Sequence, residues 1–330
     1  MKNQRKPPFF GETVVITGAS SGIGKATAEA FAEQGADLIL AARGGKALNE
    51  TAEICRKLGA NVLAVPTDTS VAKDVQHLVD EAIEFSGKID YWVNNAGVMA
   101  LGRFEEIPQE VTEQVIKTNL LGYMYSAHAV LPVFKKQKRG VLINNVSIAG
   151  WVPAPYSAAY TASKFGIRGM VETLQGEVSD FPDIHICALY PGFQKSSGIE
   201  HAANYSGMSI GTPYPSFDPR KLAASIVKTA KNPVAANYPD WSAIVFKNLY
   251  EMFPGAIRHL SSAGMRLAIR KSRKDENTIG NVLQPSQGNM EIHGKTVFSL
   301  SSKTVIRAGA GIIAAIALGV LFSGKTKKIV

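Results

Sequence analysis

Short apolar runs rich in β-branched residues alternate with longer stretches of helical periodicity through the first 190 residues. The runs are 13–17 (TVVIT), 37–41 (DLILA), 61–65 (NVLAV), 89–94 (IDYWVN), 141–146 (VLINNV) and 184–190 (IHICALY). Helical patterns fall between them. One carries Ala26, Ala30 and Phe31 on a single face, and the next ends near Leu58. Others cover about 71–85, 115–135 and 158–178. Strands that are apolar throughout, separated by helices, belong to a parallel sheet covered on both faces. The predicted fold class is therefore α/β: one main domain built on a doubly wound parallel sheet (Rossmann fold), with its ligand at the carboxyl ends of the strands. From Pro191 a Gly/Ser/Pro-rich segment reads as an active-site flap or a plain surface loop, and Asp218-Pro219 starts a helix to about Lys231.

Charge divides the chain unevenly. Residues 1–254 carry 24 Lys+Arg and 24 Asp+Glu, whereas residues 255–330 carry 12 and 3, so the net charge of +9 sits in the tail. A neutral body with a basic tail excludes a nucleic-acid surface and suits contact with an anionic membrane. Four regions follow: a main α/β domain over 1–254, a basic amphipathic helix over 255–274, a polar linker over 275–307, and an apolar segment over 308–324. The helix either lies on a membrane or packs over the substrate loop. The apolar segment has 17 uncharged residues, about 25 Å of helix against an apolar bilayer core of about 30 Å. Gly311, Ala315 and Gly319 recur along it, as in paired helices, so it reads as a membrane helix or a dimer contact. The basic residues flanking it balance and give no orientation. Cys55 and Cys187 have no metal-type spacing and read as reduced, buried thiols of a cytoplasmic protein; no signal-peptide pattern precedes the first strand.

Between the first strand and first helix lies Thr17-Gly18-Ala19-Ser20-Ser21-Gly22-Ile23-Gly24. In that context Gly18 permits a tight turn, Gly22 lets backbone N–H groups approach a pyrophosphate, and Gly24 lets helix and strand pack closely. The next strand ends Ala41-Ala42-Arg43, with no carboxylate to hold a ribose 2′-hydroxyl and a guanidinium shaped for a 2′-phosphate. NADP(H) is thus favoured over NAD(H), the alternative being a solvated arginine with loose cofactor choice.

Tyr160 and Lys164 stand four residues apart on one face of a helix. A tyrosine ionises near pH ~10, too high for proton transfer at neutrality, and a neighbouring ammonium favours the phenolate. Alone, that spacing is usually a solvated helix face. Here it follows a strand ending at Ser147.

Taken in order, TGASSGIG (17–24), NNAG (94–97), Asn119 in TNLLG, Ser147 in NNVSIAG, YTASK (160–164) and PG (191–192) resemble the short-chain dehydrogenase/reductase family over about residues 10–240. The resemblance implies that Tyr160 exchanges a proton with the substrate oxygen. Lys164 would lower the tyrosine's pKa and bind the nicotinamide ribose, while Ser147 polarises the carbonyl. Asn119 would hold a water that links Lys164 to a proton relay. Asp68 would contact adenine, Asn95, Ala96 and Gly97 line the cofactor, and Pro191 and Gly192 lie beside the nicotinamide. Where the family often has a threonine after Pro-Gly, this chain has Phe193-Gln194-Lys195-Ser196.

The expectation is an NADP(H)-dependent oxidoreductase that interconverts a carbonyl and an alcohol, acting as a homo-oligomer. The alternative from another class is a non-catalytic nucleotide-binding relative that scaffolds through a membrane-tethered tail. Trp151, Tyr156, Phe193, Tyr205, Tyr214 and Phe217 suggest an apolar or aromatic substrate.

Overall fold

The computed structural model describes residues 6–213, 215–272, 274–286 and 288–294. The apolar segment 308–324, with its expected membrane or dimer role, lies outside them, as does Tyr214.

The chain begins β1 (Thr13–Thr17), α1 (Gly22–Ala32), β2 (Asp37–Ala42), α2 (Gly45–Lys57), β3 (Val62–Pro66), α3 (Ala72–Ser86) and β4 (Tyr91–Asn94). A two-residue β5 (Ala100–Leu101), α4 (Gln109–Ile116), α5 (Gly122–Gln137), β6 (Gly140–Asn145), α6 (Ala158–Glu177) and β7 (Ile184–Leu189) follow. Beyond them lie short strands β8 (Phe193–Gln194), β9 (Ala203–Asn204) and β10 (Ser216–Phe217), then α7 (Pro219–Lys231), β11 (Ala236–Asn237), α8 (Trp241–Met252) and α9 (Pro254–Lys271).

Seven strands form one parallel sheet in the order β11-β7-β6-β4-β1-β2-β3. Both faces are covered because alternate residues serve opposite layers. Val14 and Ile16 of β1 join the cluster with Phe31, Leu48 and Ile226, while Val15 joins that of Leu78, Val130 and Ile167. From β1 the chain goes to β2 on one side, and β4 lies on the other. That change of direction opens a crevice at the carboxyl ends of β1 and β4.

Three differences from the sequence reading matter. The helix expected over 115–135 is two, α4 and α5, joined by a π-turn at Lys117–Leu121. This irregular turn carries Asn119, which is fully buried. The loop after Pro191 holds three short strands rather than none. The polar linker expected from residue 275 is, through residue 294, packed on the body. Val282 and Ile292 are buried there, whereas the neighbouring Ile279 and Leu283 are exposed, so the sequence does not mark which apolar side chains make contact. Cys55 and Cys187 are free and buried.

Candidate active site

The glycine-rich turn is fixed from beneath by β4. Thr17 Oγ1 accepts from the amides of Asn95 (3.0 Å) and Ala96 (3.1 Å). Asn95 Nδ2 donates to the carbonyls of Thr17 (3.1 Å) and Gly18 (3.3 Å). Gly18 and Gly22 adopt left-handed backbone (φ 67° and 54°), and a Cβ on Gly24 would lie 2.0 Å from the Gly18 carbonyl oxygen. No side chain caps α1 at Ser21, and its first amide, Gly22 N, donates to the Glu291 carbonyl at 3.0 Å. The cleft of about 200 Å³ is lined by Gly18, Ser20, Ser21, Gly22, Ile23, Arg43, Asn95, Ala96 and Gly97, among others, whereas Gly24, Asp68, Tyr160, Lys164, Pro191 and Gly192, also expected at the cofactor, do not line it. Burial lowers the Arg43 pKa below its ordinary value, opposed by the negative charge of Asp68. Asp68 Oδ1 itself accepts from Ser70 N (2.9 Å) and Ser70 Oγ (2.7 Å), closing a turn ahead of α3.

At the end of β6 the backbone of Ser147 sits at φ 122°, a conformation that non-glycine residues adopt only when their surroundings enforce it. Its Oγ accepts from Ala149 N (3.1 Å), and its hydroxyl lies close enough to the Tyr160 phenol to favour the ionised form. Helix α6 brings Tyr160 and Lys164 to the same place, with the lysine Nζ 5.5 Å from the centre of the Tyr160 ring. Lys164 is 4 % exposed, and its Nζ donates to the Asn145 carbonyl at 3.3 Å. The Tyr123 hydroxyl donates to that same oxygen at 3.0 Å. Asn145 Nδ2 donates to Asn95 Oδ1 (3.0 Å), so one hydrogen-bonded path joins the lysine to the glycine-rich turn.

Electrostatics here run against the simplest expectation. Burial raises the Tyr160 pKa, only partly offset by the Ser147 hydroxyl, and no lowering by Lys164 contributes. Burial also drives the Lys164 ammonium down to about 7 from an ordinary 10.5, since both charged forms lose solvation. Lys164 should therefore titrate near neutrality in an NMR experiment on the labelled side chain. Because it holds its proton less tightly folded than unfolded, stability should rise with pH from about 7 towards 10.5. The slope approaches ~1.4 kcal/mol per pH unit, and Lys164→Met should abolish it in urea titrations; an unchanged slope would reject the assignment.

Asn119 is brought in by the π-turn but has a definite structural task. Its Oδ1 accepts from Val98 N (2.8 Å), while Nδ2 donates to Val98 O (2.9 Å) and Ser163 Oγ (3.1 Å). It thus holds the strand-end segment 95–98 against α6. Pro191 is buried, and its carbonyl accepts from Ile148 N at 2.8 Å. Gly192 N donates to Asp240 Oδ2 (3.0 Å), which also accepts from Gln194 Nε2 (2.7 Å). Ser196 faces the glycine-rich turn: a Cβ on Gly22 would come within 2.3 Å of its Oγ.

Several expected substrate aromatics do other work. Trp151 packs in the core under the Arg168 guanidinium (3.3 Å) and against Tyr190. Phe217 pairs edge-on with Trp241, and Tyr205 packs against the apolar cluster beside Tyr160. Phe193 remains exposed. Sequence reasoning missed Thr17, Tyr123, Asn145 and Asp240. For Asn145 a signal existed, the pair of amides Asn144-Asn145 that ends an apolar strand.

Residues 12–204 match the family model described as short chain dehydrogenase. The chain belongs to the short-chain dehydrogenases. Among relatives of this dehydrogenase, 11-beta-hydroxysteroid dehydrogenase 1A of Arabidopsis thaliana is 40% identical over 190 residues, 57% of this chain and 54% of that protein. A similar protein of Sesamum indicum is 40% identical over 189 residues, 56% of this chain and 53% of that one. The dehydrogenase thus spans about half the length of these plant relatives. A short chain dehydrogenase/reductase from Burkholderia phymatum, solved with NAD, superposes with TM-score 0.68 at 25% identity over 82% of this chain and 99% of that one. An alcohol dehydrogenase from Thermococcus sibiricus, complexed with 5-hydroxy-NADP, gives 0.60 at 30% identity over 69% and 94%.

Proposed function

We propose that this dehydrogenase interconverts a carbonyl and an alcohol on an apolar small molecule, using NADP(H). The observation that carries the reading is the grouping of the Ser147 hydroxyl, the Tyr160 phenol and Lys164 at the carboxyl end of β6, one hydrogen-bonded path from the glycine-rich turn. The groove suits a dinucleotide, since Gly18, Gly22 and Gly24 leave no room for side chains. Bound there, the cofactor would supply or accept the hydride. Gly22, the start of α1 and Arg43 would hold its phosphates, with Asn95, Ala96 and Gly97 along its length. In the reducing direction Ser147 Oγ donates to the carbonyl oxygen and polarises it. Tyr160 Oη then delivers the proton that completes the alcohol. Lys164, held by the Asn145 carbonyl, supplies positive charge beside the phenolate that remains.

Arg43 supports the choice of NADP(H), because β2 ends without a carboxylate. The substrate class is supported by relatives named as hydroxysteroid dehydrogenases. The test is NADPH oxidation over a panel of steroid ketones, aromatic ketones, aldehydes and 3-oxoacyl thioesters, repeated with NADH. The reading expects turnover on an apolar ketone, with NADH weaker by ~10-fold or more for loss of one charge-assisted contact. Equal rates with both cofactors would reject the NADP(H) preference.

A location at a membrane surface is supported by α9, none of whose residues is buried. Leu260 and Leu267 are exposed, Arg258, Arg266, Arg270 and Lys271 accompany them, and no acidic residue falls between Glu251 and Asp275. That chemistry fits an anionic lipid surface. Among the described residues no helix is long and apolar enough to cross a membrane. The full chain should float with phosphatidylserine-containing vesicles and be released by high salt. Flotation equal on neutral vesicles would reject the electrostatic part.

A further inference from the structure

The C-terminal segment after α9 turns back over the groove between the glycine-rich turn and Arg43. Its backbone oxygens occupy the very donors a dinucleotide needs. Gly22 N donates to the Glu291 carbonyl at 3.0 Å, and Ser197 Oγ donates to the same oxygen at 2.6 Å. At the other end of the groove the Arg43 guanidinium donates to the carbonyls of Val282 (3.1 Å) and Asn281. Two separated anion-binding points, one for a pyrophosphate and one for a 2′-phosphate, are thus both filled by carbonyl oxygens from one segment. The Glu291 carboxylate adds a charged imitation, 3.3 Å from Lys25 Nζ in the first turn of α1.

The segment is fastened at both ends by apolar side chains. Val282 is fully buried in the cluster of Val98, Val111 and Ala203, against which Tyr160 packs. Ile292 is 3 % exposed between Ala26 of α1 and Ala223 of α7. Polar pins flank the anchors: Asn281 N donates to His201 O (2.7 Å), Gly294 N to Lys195 O (3.0 Å), and His293 pairs with Asp218 (3.0 Å). Between the anchors, 283–285 are exposed and carry no comparable hold.

From this we infer that residues 278–286 and 288–294 form an autoinhibitory strap, a built-in competitor of the dinucleotide, which must lift from Gly22 and Arg43 before the cofactor binds. The inference rests on the proposed use of this groove by NADP(H). A strap that merely closed over a bound cofactor would leave the phosphate donors free, whereas here its carbonyls consume them. Neutral carbonyls hold these donors less strongly than phosphate does, so cofactor wins the exchange at a cost in affinity.

The test uses the full-length protein and two readouts. Hydrogen exchange of the amides of Gly22, Thr278, Asn281 and Gly294 is measured with and without NADP+. Faster exchange at Thr278, Asn281 and Gly294 on binding supports displacement, and equal or slower exchange overturns it. Equilibrium binding of NADPH and NADH is then compared for the parent, Val282→Ser and Ile292→Ser, with thermal unfolding as a check on folding. Ile292 lies far from Tyr160 in a small cluster, so that variant keeps the test open if Val282→Ser folds poorly. Releasing either anchor should tighten NADPH binding by ~5-fold or more, and unchanged or weaker binding overturns the strap. A gain shared equally by NADH and NADPH, with no preference between them, would retain the strap and reject the NADP(H) assignment.

Discussion

Replacing Tyr160 by Phe should lower carbonyl reduction by ~10²–10⁴-fold while leaving fold and cofactor affinity in place. The aromatic ring packs at the edge of the cluster with Val98, Val111 and Ala159, and phenylalanine fills that space. Only the hydroxyl is lost, with its proton and its interaction with Ser147. Burial already disfavours the phenolate, so the protonated phenol dominates at neutral pH and reduction finds its acid ready. Single-turnover oxidation of bound NADPH separates the chemical step from binding. A variant that kept parental turnover would show that Tyr160 carries no proton.

Gly24→Ala should be nearly as damaging by another route. The added methyl would stand 2.0 Å from the Gly18 carbonyl oxygen and 2.7 Å from Asn95 Nδ2, and neither can swing away. The carbonyl is main chain, and the amide is bonded to the carbonyls of Thr17 and Gly18. Relief requires α1 to move off β1, which opens the turn and pulls Asn95 from Asn145. We expect a loss of about 2–3 kcal/mol in urea unfolding, typical of overpacking a tight site, and dinucleotide binding weakened by at least ~10-fold. Gly45→Ala is the control, since a Cβ there meets nothing within 4 Å. Equal effects at the two positions would mean that general glycine loss, not the close approach of α1 to the turn, is responsible.

The sheet was legible because its strands are apolar on both faces, and alternation of Val14, Val15 and Ile16 between two layers follows from that. Tyr160 and Lys164 were legible by helical spacing, and Ser147 by ending a strand. What stayed hidden depends on contacts distant in sequence. The π-turn holding Asn119 has no periodic signature, and Asp240 meets Gly192 and Gln194 only through the fold. Trp151 looked like a substrate residue because an aromatic in a loop carries no mark of the guanidinium that covers it. The strap looked like a linker because its buried apolar side chains, Val282 and Ile292, stand ten residues apart and its other holds are polar contacts made only through the fold. The pKa expectation failed in direction because proximity of an ammonium was weighed without burial, which disfavours the charged forms of both Tyr160 and Lys164.

The central claim is hydride transfer at the site formed by Ser147, Tyr160 and Lys164. It is tested most directly by following deuterium from NADPH labelled at the nicotinamide transfer position into product, with an apolar ketone that the parent protein reduces. The account predicts one deuteron on the carbinol carbon for each NADPH consumed, and label that appears ~10²–10⁴-fold more slowly with Tyr160→Phe under conditions where that variant still binds NADPH. Label that stays on the nucleotide while NADPH remains tightly bound would contradict it and leave the chain a nucleotide-binding relative without this chemistry.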